Sequence, residues 1–138
     1  MNNIIAELEK DHAEIMQALD ELLDHHATIR TDSLRLTKLE TLLLNHISRE
    51  DSEIYTPLRK LIRLDQTSAK FLEGSRQDLE SLKIKALIFF EKHKESNNEA
   101  LSKSFHADLK KLTENLRDRM DFEDTQLFPF LRDFWGKI

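Results

Sequence analysis

The chain has 138 residues, a length that suits one domain, and we expect residues 1–138 to form a single one. It has no Cys, which excludes disulfides, iron–sulfur clusters and thiol catalysis, and its 21 basic residues are scattered among 26 acidic ones, so nucleic acid is not an expected partner. There is no apolar run long enough for a membrane span and no signal-peptide pattern, so a cytoplasmic protein without a membrane partner is expected.

Four segments repeat apolar residues at alternating three- and four-residue steps, which is the spacing of one face of an α-helix. The segment at residues 30–33 is a predicted breaker, and Pro57 and Pro129 are expected to kink or end their helices. The four predicted helices cover residues 3–28, 33–56 with a short extension to 63, 68–95 and 98–127. Because the connections are short, the sequence predicts an all-α fold, an up-down-up-down antiparallel four-helix bundle.

The core-facing stripes of these helices are apolar except at a few positions. The polar members are His12 and His26 on helix 1, His46 and Glu50 on helix 2, Ser75 and His93 on helix 3, and Arg119 and Glu123 on helix 4. A polar group on a buried stripe needs a partner, so these positions are candidates for a functional site, except His26 and His93, which are interpreted as structural core histidines that can pair with each other. His25 and His106 fall off the stripes and are expected to be solvated.

The ends of helices 2 and 4 carry a repeated segment. Residues 50–57 read Glu-Asp-Ser-Glu-Ile-Tyr-Thr-Pro, and residues 123–129 read Glu-Asp-Thr-Gln-Leu-Phe-Pro. The repeat indicates two related hairpins, one made of helices 1 and 2 and the other of helices 3 and 4. The residue four positions before the repeated Glu is His46 in the first hairpin and Arg119 in the second.

Hairpin geometry predicts which stripe residues face each other. If the first hairpin turns near residue 29, His12 and His46 are each 17 residues from the turn and lie opposite each other. If the second turns near residue 97, Ser75 and Arg119 are each 22 residues from it and also face one another. Glu50 follows His46 by one helical turn, so both side chains can point into the same cavity.

These residues resemble the pattern of the hemerythrin-like HHE cation-binding family. Its members place a His on helix 1, His-x-x-x-Glu on helix 2, a His on helix 3 and His-x-x-x-Glu on helix 4, and the resemblance spans the whole chain. In that family the residues bind a carboxylate-bridged di-iron centre used for oxygen carriage, for sensing of oxygen, nitric oxide or redox state, and for iron handling. The resemblance implies four retained metal ligands here, His12, His46, Glu50 and Glu123.

The chain departs from the family pattern at two ligand positions, since Ser75 and Arg119 stand where the family has His. Two imidazoles and two carboxylates can still hold one Fe, Mn or Zn ion. A second ion would have few ligands and would be repelled by Arg119, at a cost of about 8 kcal/mol for a divalent ion at ~4 Å and an effective dielectric near 20. Arg119 is expected instead to fork onto Glu50 and Glu123.

Two functions follow as hypotheses. In the first, the protein binds one metal ion, with a small diatomic molecule as a further ligand, and serves sensing or metal handling. In the second, it is a metal-free degenerate bundle with a structural or protein-interaction role, in which Arg119 replaces the metal charge. Neither is an enzyme, because no catalytic motif is present. A ferritin-like di-iron bundle is disfavoured, because only the segment from Glu9 to His12 has Glu-x-x-His spacing.

The aromatic C-terminal segment, residues 127–135, has two interpretations. Either it covers the open end of the bundle as a lid, or it forms a surface for a homodimer or another partner. The sequence therefore leaves both a monomer and a homodimer open.

Overall fold

The computed structural model describes residues 2–24, 29–60, 64–94 and 104–136, which are almost entirely helical and contain no strand. Two π-helical turns, here called the first and second π turn, each join two α-helices end to end. The elements are α1 (Asn2–Asp24), α2 (Ile29–Glu50), the first π turn (Asp51–Tyr55), α3 (Thr56–Arg59), α4 (Gln66–Lys94), α5 (Ser104–Phe122), the second π turn (Glu123–Leu127) and α6 (Phe128–Gly136). The predicted all-α fold is confirmed.

The long helices pack as a four-helix bundle. Helix α1 contacts α2 and α5, and α4 contacts α5 and α2, so each long helix has two neighbours. Helices α1 and α2 are antiparallel, since Asp11 pairs with His46 while the earlier residue Glu7 pairs with the later residue Arg49. The described members of all four predicted stripes are buried, apolar and polar alike. The periodicity therefore identified the core correctly.

The start of helix 2 differs from the prediction. Residues 30–33 do not interrupt helical structure, because α2 begins at Ile29 and includes them in its first turns. Thr, Asp and Ser are unfavourable inside a helix but common at its N-terminus, so the same residue types that suggested a break are compatible with a helix start. The predicted end of helix 1 at residue 28 and the predicted start of helix 4 at residue 98 lie outside the described residues.

Neither proline ends the helical path, in agreement with the predicted extension beyond Pro57 but not with the predicted end of helix 4 at residue 127. The helical path passes Pro57 and continues to Arg59, and it passes Pro129 and continues to Gly136, nine residues beyond the predicted end. Each proline is the second residue of the α-helix that follows a π turn. Near a helix start, proline's missing N–H costs little, so the new helix tolerates it.

The π turns make this continuation possible. In the first, the N–H of Thr56 donates to the carbonyl of Asp51, and in the second the N–H of Phe128 donates to the carbonyl of Glu123, both five residues back. A wider turn relieves the clash between a proline ring and the carbonyls behind it. The repeated sequence segments thus correspond to a repeated structural feature, which lies beside the polar stripe residues.

Helix α6 carries the aromatic segment and packs onto the bundle. Phe128, Leu131 and Trp135 are buried, and Phe130 stacks against Phe134 with ring centroids 6.1 Å apart. This packing agrees with the lid interpretation, whereas the choice between monomer and homodimer stays a prediction. Among the helices of the described ranges, none combines the length and apolarity needed to cross a membrane.

Candidate metal centre

Four buried side chains from three parts of the chain converge inside the bundle. They are His12 on α1, His46 and Glu50 on α2, and Glu123 at the start of the second π turn. One nitrogen or oxygen atom from each lies within 4.8 Å of those of the other three. The structure therefore brings together all four residues that the resemblance implied as ligands.

The converging atoms are the Nε2 atoms of the two imidazoles and one oxygen of each carboxylate. His12 Nε2 lies 2.7 Å from Glu123 Oε1, and His46 Nε2 lies 2.6 Å from Glu50 Oε1 and 3.3 Å from Glu123 Oε1. The two imidazole rings have centroids 4.8 Å apart. Two nitrogens and two oxygens around one centre match the donor set that Fe, Mn and Zn accept in proteins.

The other nitrogen of each imidazole is held by an aspartate. His12 Nδ1 donates to Asp124 Oδ1 at 3.0 Å, and His46 Nδ1 donates to Asp11 Oδ2 at 3.1 Å. Carboxylates at Nδ1 keep the proton there and turn Nε2 inward, which is the usual outer arrangement of metal-binding histidines. Sequence reasoning missed both aspartates, although each directly adjoins a predicted ligand, because each serves the histidine of a different helix.

The inward-facing atoms cannot all be satisfied by one another. Glu50 Oε1 is buried and forms an ion pair with His46 Nε2 at 2.6 Å, but it has no well-aligned hydrogen bond. A single proton on Nε2 cannot serve the oxygens of Glu50 and Glu123 together. A buried oxygen without a well-aligned hydrogen bond among imidazole nitrogens indicates that a cation, either a proton or a metal ion, belongs at the centre.

The pKa shifts indicate that protons compensate the negative charge of the buried carboxylates. Burial lowers the pKa of His46, but the carboxylates of Glu123 and Glu50 outweigh it and raise that pKa to about 10. Burial, with the negative charge of Glu123, raises the pKa of Glu50 to about 8. Burial would also raise the pKa of Glu123, but hydrogen bonds from His12 and His46 hold it well below its usual range. Near neutral pH the cluster retains protons, which a metal ion would have to displace.

Arg119 occupies the other side of the two carboxylates. Its Nε donates to Glu123 Oε2 at 2.7 Å, and its Nη2 donates to Glu50 Oε2 at 3.4 Å. Each carboxylate thus turns one oxygen toward the histidines and the other toward the guanidinium. Burial would lower the pKa of Arg119, but Glu123 raises it above the usual value, so the group is a permanent cation. The Arg119 guanidinium thus bridges the two carboxylates, as expected.

Ser75 and Tyr55 complete the surroundings of Arg119. The Ser75 carbonyl accepts from Nη1 at 2.9 Å, so Ser75 and Arg119 face each other as the hairpin geometry predicted. Tyr55 Oη accepts from Nη2 at 2.8 Å and lies 2.5 Å from Ser75 Oγ, and burial raises its pKa to about 12, which keeps it neutral. Sequence reasoning did not identify Tyr55 as part of the site.

The aromatic residue of each repeated segment contacts the cluster. Tyr55 reaches Arg119, whereas Phe128 stacks on the ring of His12 with centroids 5.6 Å apart and planes 17° apart. The Phe128 side chain is fully buried and covers one face of that imidazole. The repeat could have pointed to both aromatic residues, since it placed each within six residues of a candidate ligand.

The remaining histidines do not join the cluster where they are described. His93 is buried in the second hairpin, where its Nε2 lies 2.9 Å from Asp108 Oδ2, and His106 is exposed. His25 and His26, which were predicted to be solvated and to pair with His93 respectively, lie outside the described residues. His93 thus has a structural partner of its own.

Comparison with known proteins yields one match. The hemerythrin HHE cation binding domain matches residues 1–58, which include His12, His46 and Glu50. The predicted family resemblance is confirmed over this first hairpin. The match ends before Ser75, Arg119 and Glu123, so the resemblance of the second hairpin stays a prediction. No curated protein and no solved structure matches the chain.

Proposed function

We propose that this chain, a cation-binding protein by its hemerythrin HHE match and its buried His/Glu cluster, holds a single transition-metal ion. The ligands are His12, His46, Glu50 and Glu123, and the expected ion is iron, with manganese and zinc as the chemically similar choices. The convergence of two buried imidazole nitrogens and two buried carboxylate oxygens, all within 4.8 Å of one another, is the observation that carries the proposal. A metal ion would bind the inward oxygens of both carboxylates and the inward lone pairs of both imidazoles.

One ion, rather than two, follows from the position of Arg119. Its guanidinium already contacts the outer oxygens of Glu50 and Glu123, which in a two-metal site would be free to bind the second ion. A divalent ion at ~4 Å from this charge would meet a repulsion of about 8 kcal/mol at an effective dielectric near 20. The guanidinium supplies the second positive charge that two buried carboxylates require.

The residues around the cluster prepare it for metal. Asp11 and Asp124 orient the two imidazoles, and the ring of Phe128 covers His12 and keeps water from that side. A bound iron would supply redox chemistry and affinity for small diatomic molecules. Because reversible oxygen carriage in the family uses two irons, we propose sensing or metal handling as the role of a one-ion site, without catalysis.

A metal-free bundle is the alternative, and one set of contacts favours it. With Arg119 charged and His46 protonated, two cations face the carboxylates of Glu50 and Glu123 without any metal. The chain's own cations would then compensate the negative charge of the two carboxylates. In that case the protein would have a structural or protein-interaction role. The two functions are distinguished by whether the wild-type protein binds a metal ion at this cluster.

Replacing a ligand is expected to abolish tight metal binding. His46→Ala removes one of the two nitrogens, and we expect the affinity for Zn²⁺ or Mn²⁺ to fall by more than about 100-fold, beyond the 10- to 100-fold that loss of an outer partner usually causes. Isothermal titration of chelator-stripped protein measures this change. His106→Ala is the matched control, because His106 is exposed and should leave the affinity unchanged.

A second control tests the assignment of helices to the site. His93→Ala should cost stability, since His93 is buried and bonded to Asp108, but it should not change the number of ions bound. Equal affinities in wild type and His46→Ala, or loss of metal in His93→Ala, would show that the ion is held elsewhere.

A further inference from the structure

Four seams between neighbouring helices separate the buried cluster from solvent. They lie between α1 and α2, between α2 and α4, between α4 and α5, and between α5 and α1. The four ligand residues are at most 5% exposed, so a route from solvent to them runs between helices. The charged groups along each seam therefore decide where a cation can enter.

The seam between α4 and α5 leads to a permanent cation. Arg119 and Phe122 line a cavity of about 340 Å³ in this seam. The other charged residues of its lining are all exposed: Asp78, Lys85 and Asp118. The guanidinium of Arg119 binds the outer oxygens of Glu50 and Glu123, so a cation that entered here would meet a like charge at the carboxylates.

The seam between α2 and α4 leads to the same cation. Where α3 follows the first π turn, Tyr55 lines a cavity of about 350 Å³, and its hydroxyl accepts a hydrogen bond from Arg119. The charged residues that line this cavity are Arg59, Glu73 and Arg76, of which Glu73 and Arg76 pair with each other. The lining thus carries a net positive charge, which opposes the entry of a metal ion here as well.

An arginine covers the seam between α1 and α2. Asp11 Oδ2, which accepts from His46 Nδ1, also accepts from Arg49 Nη1 at 3.4 Å. Arg49 pairs in addition with Glu7 and Glu53, so three carboxylates hold it in place. The Asp11 side chain is only 21% exposed. A cation that reached Asp11 would therefore meet the guanidinium at the oxygen that orients His46.

The seam between α1 and α5 differs, because an acidic residue lies open to solvent there. Asp124, in the second π turn, has a side chain that is 48% exposed, and its Oδ1 accepts from His12 Nδ1 at 3.0 Å. Two arginines lie along the same seam, and each pairs with an acidic residue of α1: Arg117 with Asp20 and Arg132 with Glu9. Among the described residues, no lysine or arginine pairs with Asp124 itself. An exposed carboxylate thus contacts a ligand without a cation covering it.

We propose that a metal ion enters through the seam between α1 and α5, and that Asp124 is the residue that receives it from solvent. This route rests on the proposed function, since it leads to the same site. An exposed carboxylate attracts cations and raises the rate at which they associate. Asp124 is hydrogen-bonded directly to His12, which is the ligand that admits the ion, whereas His46 is held by the covered Asp11.

Asp124→Asn tests the route, because an amide keeps the shape of the side chain and an acceptor for His12 but has no charge. Stopped-flow mixing of chelator-stripped protein with Zn²⁺ and a fluorescent zinc indicator at low salt measures the association rate constant. We expect this rate constant to fall by about tenfold or more, as electrostatic steering is lost. Added NaCl should lower the wild-type rate constant toward that of the variant, since salt screens exposed charges.

Asp11→Asn is the matched control. Each of the two changes replaces a carboxylate that orients a ligand histidine, so both should weaken Zn²⁺ binding to a similar extent, by about 10- to 100-fold. In Asp11→Asn the loss should appear in the dissociation rate constant, with association within about twofold of wild type. Asp20→Asn should change neither rate constant, because Asp20 lies about 12 Å from His12 along α1.

Removing the cover of Asp11 should open a second route. Arg49→Gln, added to Asp124→Asn, is expected to raise the association rate constant by about threefold or more, because Asp11 then attracts cations without an adjacent guanidinium. Lys38→Gln, added to the same variant, removes an equal charge from an exposed position on the same helix and should not raise it. All of the substituted residues are partly or fully exposed, so circular dichroism should show unchanged helicity.

Four results would overturn the proposal. Equal association rate constants in wild type and Asp124→Asn, with Zn²⁺ still bound, would refute the route but leave the proposed function intact. Slow association in Asp11→Asn alone would move the route to the seam between α1 and α2. A wild-type rate constant that salt does not lower would exclude an exposed carboxylate at the entrance. A wild-type protein that binds no Zn²⁺ would overturn the proposed function and the route together.

Discussion

Arg119→Leu is expected to lower the free energy of unfolding of the metal-free protein by about 3 kcal/mol or more. The guanidinium contacts the outer oxygens of both Glu50 and Glu123, and its loss removes one of the two cations, the other being His46, that compensate these buried carboxylates. It also leaves the Ser75 carbonyl and the Tyr55 hydroxyl without their shared donor. Urea denaturation in the presence of chelator measures the loss.

Arg117→Leu is the matched control for this change. Arg117 lies on the same helix, but its side chain is 53% exposed and its ion pair with Asp20 is 3.6 Å long. Surface pairs of this kind contribute little, so we expect a change within about 0.5 kcal/mol. Similar unfolding free energies for the Arg119 and Arg117 variants would mean that the guanidinium does not compensate the carboxylates.

The double variant Ser75→His with Arg119→His is expected to raise the metal content from one ion per chain to two. Removing the guanidinium frees the outer oxygens of Glu50 and Glu123 and eliminates the repelling charge. The two new imidazoles would face each other, because Ser75 and Arg119 are in direct contact in the structure. The metal-to-chain ratio after loading with ferrous iron and air is the measurement.

The two single variants are the controls for this restoration. Ser75→His alone keeps the charge of Arg119 and crowds Tyr55, whose hydroxyl already lies 2.5 Å from Ser75 Oγ. Arg119→His alone removes the charge, but the second metal site then still lacks the ligand at position 75. We expect both singles to bind no more than one ion. A double variant that binds no more than wild type would show that the second hairpin cannot form the family's second half-site.

The sequence predicted the core and the central residues of the site because both depend on helical periodicity. His12, His46, Glu50 and Glu123 lie on apolar stripes, and an antiparallel first hairpin places His12 opposite His46 and Glu50, whereas the addition of Glu123 to this set came from the family resemblance. The position of Arg119 between the carboxylates followed in the same way, from its place one turn before Glu123. Burial of all five side chains agrees with this interpretation.

Residues outside the stripes could not be predicted in the same way. Asp11 and Asp124 are partly exposed and contact the histidines from the side, where periodicity gives no signal. Tyr55 enters the site because the first π turn changes the angular spacing of the helix just before Pro57. The expectation that proline kinks or ends a helix does not anticipate such a turn, so it placed the end of helix 4 too early and gave no signal for the Tyr55 side chain.

The metal-to-chain ratio of the wild-type protein tests the central claim most directly. The protein is purified without chelator after expression with added iron and manganese, and its metal content is determined by elemental mass spectrometry. We predict one ion per chain, bound at His12, His46, Glu50 and Glu123. Two ions per chain with the absorption band of a bridged di-iron centre would contradict the role of Arg119, and no ion after loading would contradict metal binding itself.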